Sequence, residues 1–258
     1  MSNLNSYNNL SLEDLKEFLD SKVDLYNNPN FIETDPIQIP HLFSKKEDIE
    51  IIGFIMATIA WGNRKSIISN GHKLLKIMGN HPHEFIMNYE RQDLKFVHRT
   101  FNAIDLDFFF RSLNSIYQKS SLEEVFKKQK VEFGAKGRIA SFRSTFFETE
   151  HEKRSEKHVS NPLKNSSAKR LNMYLRWMVR NDKKGVDFGI WKSVEPSELF
   201  LPLDVHTGNV ARKLGILERT KNDWLAVEEI QNTLIKLDSK DPIKYDFALF
   251  GLGAFEGF

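Results

Sequence analysis

Leu201-Pro202-Leu203-Asp204-Val205-His206-Thr207-Gly208-Asn209-Val210-Ala211-Arg212-Lys213-Leu214-Gly215 reads as the approach to a helix, the helix and its stop. Proline is excluded from helix interiors but tolerated on the approach, so the helix starts after Pro202. Asp204 then falls at the N-cap, where a carboxylate accepts a free backbone N–H. Val205, Val210, Ala211 and Leu214 recur at helical spacing. Arg212 and Lys213 occupy the last turn, and Gly215 closes it. Free N–H groups and the positive end of the helix dipole keep an aspartate ionised at such a start. Asp204 has two readings: a plain cap, the commoner use of Asp here, or a fixed anion that orients a nucleophile or stabilises a forming cation.

The helical period continues outward from this segment. Ser11-Leu12-Glu13-Asp14 opens a capped helix with Leu12, Leu15, Phe18 and Leu19 on one face. Residues 26–43 hold Asn27-Asn28-Pro29, Asp35-Pro36 and Pro40 and read as loop. Helices are expected over 44–61 (with Ile49, Ile52, Phe54, Ile55 and Ile59 inside), about 64–78, briefly from Pro82, then 105–117, 121–130 and 136–150. Residues 151–167 are polar, charge-mixed and broken by Pro162, and read as a flexible join. Residues 168–180 form a helix with Leu171, Tyr174, Leu175 and Met178 inward, and 181–202 a loop. A helix over 220–237 is capped by Asn222 or Thr220, and Asp241-Pro242 opens a last one to about Leu249. No stretch alternates with period two long enough to require a sheet. The fold class is all-α, in two lobes: roughly residues 45–180, and residues 1–44 plus 181–258.

Composition bounds the chemistry. The 258 residues are 40% hydrophobic and include 21 Phe, enough for substantial cores built of phenyl rings. No window is long and apolar enough to span a membrane, and Met1–Asn9 lacks the basic and apolar regions of a secretory signal, so a cytoplasmic location is expected. The absence of cysteine excludes disulfides, thiolate zinc sites, a thiol nucleophile and an iron–sulfur cluster. His81-x-His83 lacks partners at metal-ligand spacing, and no phosphate loop, dinucleotide fingerprint or nucleophile elbow appears. The formal charge is +2, with a basic stretch from Lys127 to Lys184 that includes Lys128 and Lys130 and is diluted by Glu148, Glu150, Glu152 and Glu156. That stretch reads equally as a solvated surface or a phosphate-binding face.

Pro202-Leu203-Asp204-Val205-His206, followed by Asn209-Val210-Ala211-Arg212-Lys213-Leu214-Gly215, resembles the segment carrying the catalytic aspartate in the endonuclease III and oxoguanine-glycosylase superfamily, the helix-hairpin-helix DNA glycosylases. Lys169-x-x-Asn172-Met173-Tyr174-Leu175 is similar to that superfamily's nucleophile helix, and lies 35 positions before Asp204, a spacing close to that of the archaeal oxoguanine glycosylases. The resemblance is specific from Ala168 to Gly253 and extends to residues 49–78. It implies a cluster-free, monomeric DNA base-excision enzyme with its site in a cleft between lobes. It implies no cofactor, and damaged DNA, duplex or single-stranded, as partner. Lys169 would attack C1′ of an extruded nucleotide, and Asp204 would assist it and stabilise an oxocarbenium-like transition state. Strand scission through a lysine Schiff base would be a second activity.

The chain departs from that pattern just before Lys169. The superfamily's glycine-rich hairpin corresponds to Asn161-Pro162-Leu163-Lys164-Asn165-Ser166-Ser167-Ala168, which has no glycine. Asn165 is suited to a left-handed backbone, and Ser166 or Ser167 to capping the helix and meeting phosphate. This departure favours the alternative of a catalytically inactive nucleic-acid-binding module. Ala60-Trp61-Gly62-Asn63-Arg64 sits where the superfamily fills the gap left by a flipped base. Trp61 is a stacking residue or core, Gly62 a helix stop, and Asn63 and Arg64 are placed to bond base edges. Asn172 completes the lysine motif. His206 is a proton shuttle or a local hydrogen-bonding residue. The segment from Tyr245 to Gly253 reads as packing.

Overall fold

The computed structural model describes residues 10–127 and 136–258. Met1–Asn9, Lys128, Lys130 and the end of the helix expected to residue 130 lie outside them. The chain is mostly helical, as its period requires. In order the elements are α1 (Leu12–Tyr26), α2 (Asn30–Thr34), α3 (Lys46–Ile59), α4 (Arg64–Ile77) and α5 (Pro82–Met87). A two-residue hairpin follows, β1 (Val97–His98) and β2 (Phe101–Asn102), then α6 (Ala103–Tyr117), α7 (Leu122–Lys127), α8 (Lys136–Phe146), α9 (Lys169–Val179), α10 (Val205–Lys213), α11 (Trp224–Leu237) and α12 (Tyr245–Ala254). No helix among the described residues is long and apolar enough to cross a membrane.

The chain divides into two compact units, residues 32–163 and residues 1–31 plus 164–258. The joins fall at 31/32 and 163/164, not near 44/45 and 180/181 as the sequence led us to expect. The second shift has a visible cause. Arg176 on α9 and Arg180 at its C-cap pair with Asp187, Asp246 and Asp241, all in the later part of the chain. Two guanidinium groups buried to within a few per cent must stay with their carboxylates, so α9 goes with them.

The unit of residues 32–163 is built on phenyl rings. α3 is buried on every side from Ile49 to Ile59, mostly by apolar side chains, with the Glu50 carboxylate inside accepting from the Tyr117 hydroxyl at 2.6 Å. Phe54 stacks on Phe109 and meets Phe142 and Phe146 edge-on, while Phe126 stacks on Phe142 at 4.1 Å. Such pairs add about 0.5–1.5 kcal/mol each beyond their buried area. Asn102 and Asp105 form a reciprocal cap for α6. The Asp105 carboxylate also accepts from Ser155 at 2.7 Å and lies 3.3 Å from both Arg154 and His158. The stretch expected as loop over 26–43 instead contains α2 and single 3-10 turns at Pro36–Gln38 and Pro40–Leu42, because each proline supplies a helical φ at a first position. The hairpin β1–β2, paired Val97 to Asn102 and His98 to Phe101, is too short for period two to register in the sequence.

In the other unit, α1 and α10 pack on α12, around a core of Leu15, Leu19, Val210, Leu234, Tyr245 and Leu249. Gly251 makes room for Tyr26, since a Cβ there would stand 2.1 Å from the ring. The capping box of Ser11 and Asp14 starts α1 as the sequence predicts. α12 runs to Ala254, five residues past the expected end, and from Tyr245 to Leu252 every residue but Phe250 is buried. α11 is capped by Asp223, whose Oδ1 accepts the Ala226 N–H at 3.3 Å, not by Asn222 or Thr220.

Candidate functional site

Asp204 is the N-cap of α10 in an extended conformation, φ −122° and ψ −169°. Its Oδ1 accepts the Thr207 backbone N–H at 2.9 Å, and its Oδ2 lies 2.9 Å from the Lys169 Nζ. Lys169 is the first residue of α9. Two helix starts, distant in sequence, thus deliver one cation and one anion to a single point. The pair is partly accessible, with side-chain exposures of 33% for Lys169 and 15% for Asp204, so a reagent can reach it. Burial pushes the Asp204 carboxyl up, but the Lys169 charge, the Thr207 N–H and His206 together hold it below the usual carboxylate range.

The end of α10 is built as its sequence predicts. Gly215 has φ +70°, its N–H donates to Arg212 O at 3.1 Å, and Ile216 N–H donates to Ala211 O at 2.8 Å. This double closure needs a left-handed residue, which glycine adopts without Cβ strain.

Asn222 and Arg212, read from the sequence in other roles, hold the start of α10. The Asn222 Nδ2 donates to Asp204 O at 3.0 Å, and Arg212 donates to Asn222 Oδ1 at 2.6 Å. The Asn222 amide lies directly over Gly208: a Cβ there would stand 2.6 Å from Oδ1. The buried Thr207 hydroxyl has no hydrogen-bond partner among the described residues. Asn222 is one position from a true helix cap, which is why a one-dimensional reading assigned it to capping.

The glycine-free turn before Lys169 folds by other means. Asn165 has φ +63°, as its side chain permits, and Ala168 has φ +47°. The Asn165 Nδ2 donates to Asp223 at 3.0 Å, its carbonyl accepts from Trp224 at 3.2 Å, and Ser166 bridges to Asp223. Neither Ser166 nor Ser167 caps α9: Ala168 is the N-cap and no side chain accepts from the helix. The left-handed Ala168 turns the hydroxyls aside, so Ser166 Oγ accepts from Ala168 N–H at 3.3 Å and Ser167 Oγ donates to Leu203 O at 3.5 Å. Asn172, buried, donates to Ser167 O at 3.1 Å and ties the turn to α9. His206 is exposed in the first turn of α10, with its backbone against Gly253.

Behind the pair lies a buried chain of charges. Arg176 reaches Asp187 at 3.1 Å and hydrogen-bonds Asp246; Arg180 reaches Asp187 at 3.1 Å, Asp182 at 2.8 Å and Asp241 at 2.9 Å. Burial pushes the Asp246 carboxyl up to about 6, with Arg176 opposing and the Asp204 charge adding to the rise. The segment around Asp246 read as packing; its carboxyl is a charged part of the site's surroundings.

Trp61, Asn63 and Arg64 belong to the unit of residues 32–163, and Lys169, Asp204, Asn165, Ser166, Ser167, Asn172 and His206 to the other. The Trp61 indole is half-buried, with Arg99 4.3 Å above its face, His98 edge-on, and its Nε1 buried without a partner among the described residues. Asn63 caps α4 by accepting the Ser66 N–H at 3.2 Å, and Arg64 begins that helix. α3 ends at Ile59 with Ala60 as its C-cap, so Gly62, φ +102°, lies beyond the helix stop. Much of the basic stretch is used internally: Arg143 pairs with Glu156 at 2.8 Å, and Arg154, Arg176 and Arg180 with the aspartates above.

Fold and site define a mostly helical protein whose distinguishing chemistry is a lysine–aspartate pair made from two helix starts. The chain belongs to the family described as "Protein of unknown function (DUF2400)", whose model matches residues 35–255. No curated protein and no solved structure matches the chain.

Proposed function

We propose that this protein is a DNA base-excision glycosylase of the helix-hairpin-helix type that also carries lyase chemistry. The observation that carries this reading is the 2.9 Å contact between Lys169 Nζ and Asp204 Oδ2, formed by the two residues that the superfamily resemblance nominates. In the resting pair the lysine is an ammonium and cannot attack. When an extruded nucleotide replaces solvent around the pair, the Lys169 proton passes to Asp204. The amine then bonds to C1′ while the C1′–N bond breaks; the base leaves with the electron pair and collects the proton. Asp204, again ionised, stabilises positive charge at C1′. The C1′–O4′ bond then breaks as a proton passes from the Lys169 nitrogen to O4′, which leaves an iminium that borohydride reduces to a stable protein–DNA adduct.

The test is direct. Purified protein is incubated with duplexes containing oxoguanine, uracil or an abasic site, with and without borohydride. Base release, or a trapped adduct that disappears in Lys169→Ala, supports the reading. Neither on any lesion rejects it.

One observation favours a second reading, a nucleic-acid-binding module of the same fold without chemistry. The turn before Lys169 has no glycine, and the Asn165 amide is spent on Asp223. On this reading, DNA affinity is unchanged in Asp204→Asn and no lesion is processed. Salt-independent failure to bind any DNA or RNA rejects both readings.

A further inference from the structure

We propose that Asp246 is a positioning residue for the Lys169–Asp204 pair, a buried carboxyl whose charge state sets the proton affinity of the Lys169 amine. Its catalytic consequence rests on the function proposed above, but the electrostatic relationship does not.

The geometry begins with α12. Asp246 and Gly253 are seven residues apart and share one helix face. At Gly253 that face is pressed by α10, since a Cβ there would stand 3.1 Å from both the His206 Cβ and the Val210 side chain. Asp246 therefore lies on the face turned toward the helix that Asp204 begins. From the other side Arg176 reaches it, two turns along α9 from Lys169. Asp246 is 5% exposed, so the medium around it screens poorly.

The cations available to Asp246 are too few. Arg176 and Arg180 are shared among Asp187, Asp246, Asp182 and Asp241. Two guanidinium groups cannot neutralise four carboxylates, and a buried uncompensated carboxylate takes up a proton instead. Asp246 is the member that also feels the Asp204 charge, and it is driven up to about 6. Of the other charged groups on these elements, Arg170 of α9 stands beside Lys169 and is pushed down to about 10 by burial, while on α10 Arg212 donates to Arg219 O, Thr220 O and Asn222, and Lys213 lies over the Phe258 ring. His206 is exposed on α10; Lys22 and Tyr26 of α1 meet Glu256 beyond the end of α12; Lys244, before its start, pairs with Asp20 and Asp238. The same field includes Lys169, whose positive charge favours the ionised form of Asp246. By reciprocity, ionised Asp246 favours the ammonium at Lys169, and neutral Asp246 favours the free amine that a nucleophile needs.

The test needs no DNA, so its failure is distinguishable from failure of the glycosylase reading. Lysines of the full chain are reductively methylated with a carbon-13 label and titrated by NMR, the Lys169 signal being the one absent from Lys169→Arg. In the parent the Lys169 signal shows a second inflection near pH 6. That inflection survives in His206→Gln and disappears in Asp246→Asn, where the amine midpoint also falls by about 0.5–1.5 pH units. A Lys169 titration identical in the parent and Asp246→Asn overturns the proposal, as does an inflection that vanishes in His206→Gln. If Asp246→Asn does not fold, the parent and His206→Gln decide. Persistence of the inflection in both supports the proposal, and its absence from the parent overturns it. A merely structural role for Asp246 moves stability but leaves the amine midpoint in place.

Discussion

The two oxygens of Asp204 are divided between a backbone and a side chain: Oδ1 accepts the Thr207 N–H at 2.9 Å, and Oδ2 meets the Lys169 Nζ at 2.9 Å. One residue therefore starts a helix and holds a candidate nucleophile, and substitutions can separate the two jobs.

Asp204→Asn keeps an oxygen for Thr207 and loses the charge; Asp204→Ala loses both. We expect Asp204→Asn to lower borohydride trapping about 100-fold or more while retaining most of the stability. Asp204→Ala should cost a further ~0.5–2 kcal/mol in urea unfolding, the worth of an N-cap. Equal stability of the two variants would show that the cap contributes nothing.

Two carboxyls shifted in opposite directions shape stability against pH. Asp204 is held below its usual range, so its contribution is complete above about pH 4, the unfolded value, and is lost as pH falls through its folded value. Asp246 is raised to about 6, so ionising it in the folded state is costly and stability rises as pH falls from 6 toward 4. Chemical denaturation across pH 3–7 should show that rise in the parent and not in Asp246→Asn. A flat parent profile between pH 4 and 6 would contradict the expectation.

In the other unit, Asp105 is fully buried; burial raises its carboxyl, but His158 3.3 Å away, the Ser155 hydroxyl and the Asn102 backbone N–H together hold it down at about 2. Asp105→Ala strips the acceptor from the buried Ser155 hydroxyl and the Asn102 N–H, and the carboxylate from beside His158. The expected loss is ~3–5 kcal/mol, read as a lowered urea midpoint. A loss below 1 kcal/mol would mean that this cluster is dispensable.

Gly208→Ala places a methyl 2.6 Å from Asn222 Oδ1, against the amide that holds the Asp204 carbonyl. Overpacking of this kind costs ~1–3 kcal/mol. We also expect the Lys169–Asp204 contact to loosen, seen as weaker adduct trapping at temperatures where the variant remains folded.

Ala168 occupies a left-handed conformation at φ +47° that costs an L-residue roughly 1–2 kcal/mol. Ala168→Gly should therefore stabilise the protein by about 0.5–1 kcal/mol, after the extra backbone entropy of glycine is subtracted. A destabilised variant would show that the methyl's burial outweighs the strain.

Local physics was legible in one dimension. Helical period, prolines at first turns and charge-poor runs specify the helices, and Asp204 as N-cap with Gly215 as stop could be placed without coordinates because each answers a backbone need within four residues. The same locality explains the misassignments. Asn222 and Asp223 are both good caps, and only the direction of the chain before Trp224 selects Asp223 and sends the Asn222 amide to Asp204. Ser166 and Ser167 lose the capping of α9 because the preceding turn is tied to Asp223.

What the chain's order of residues determined alone was the helical class, the ends of α10 and the nomination of Lys169 and Asp204. Tertiary structure decided that these two meet, that α9 belongs with the later helices, and that Asp246 is a charged neighbour of the pair rather than inert packing. The physical reason is range. Backbone hydrogen bonds close over three or four residues, whereas burial and charge act through space between segments that folding alone brings together.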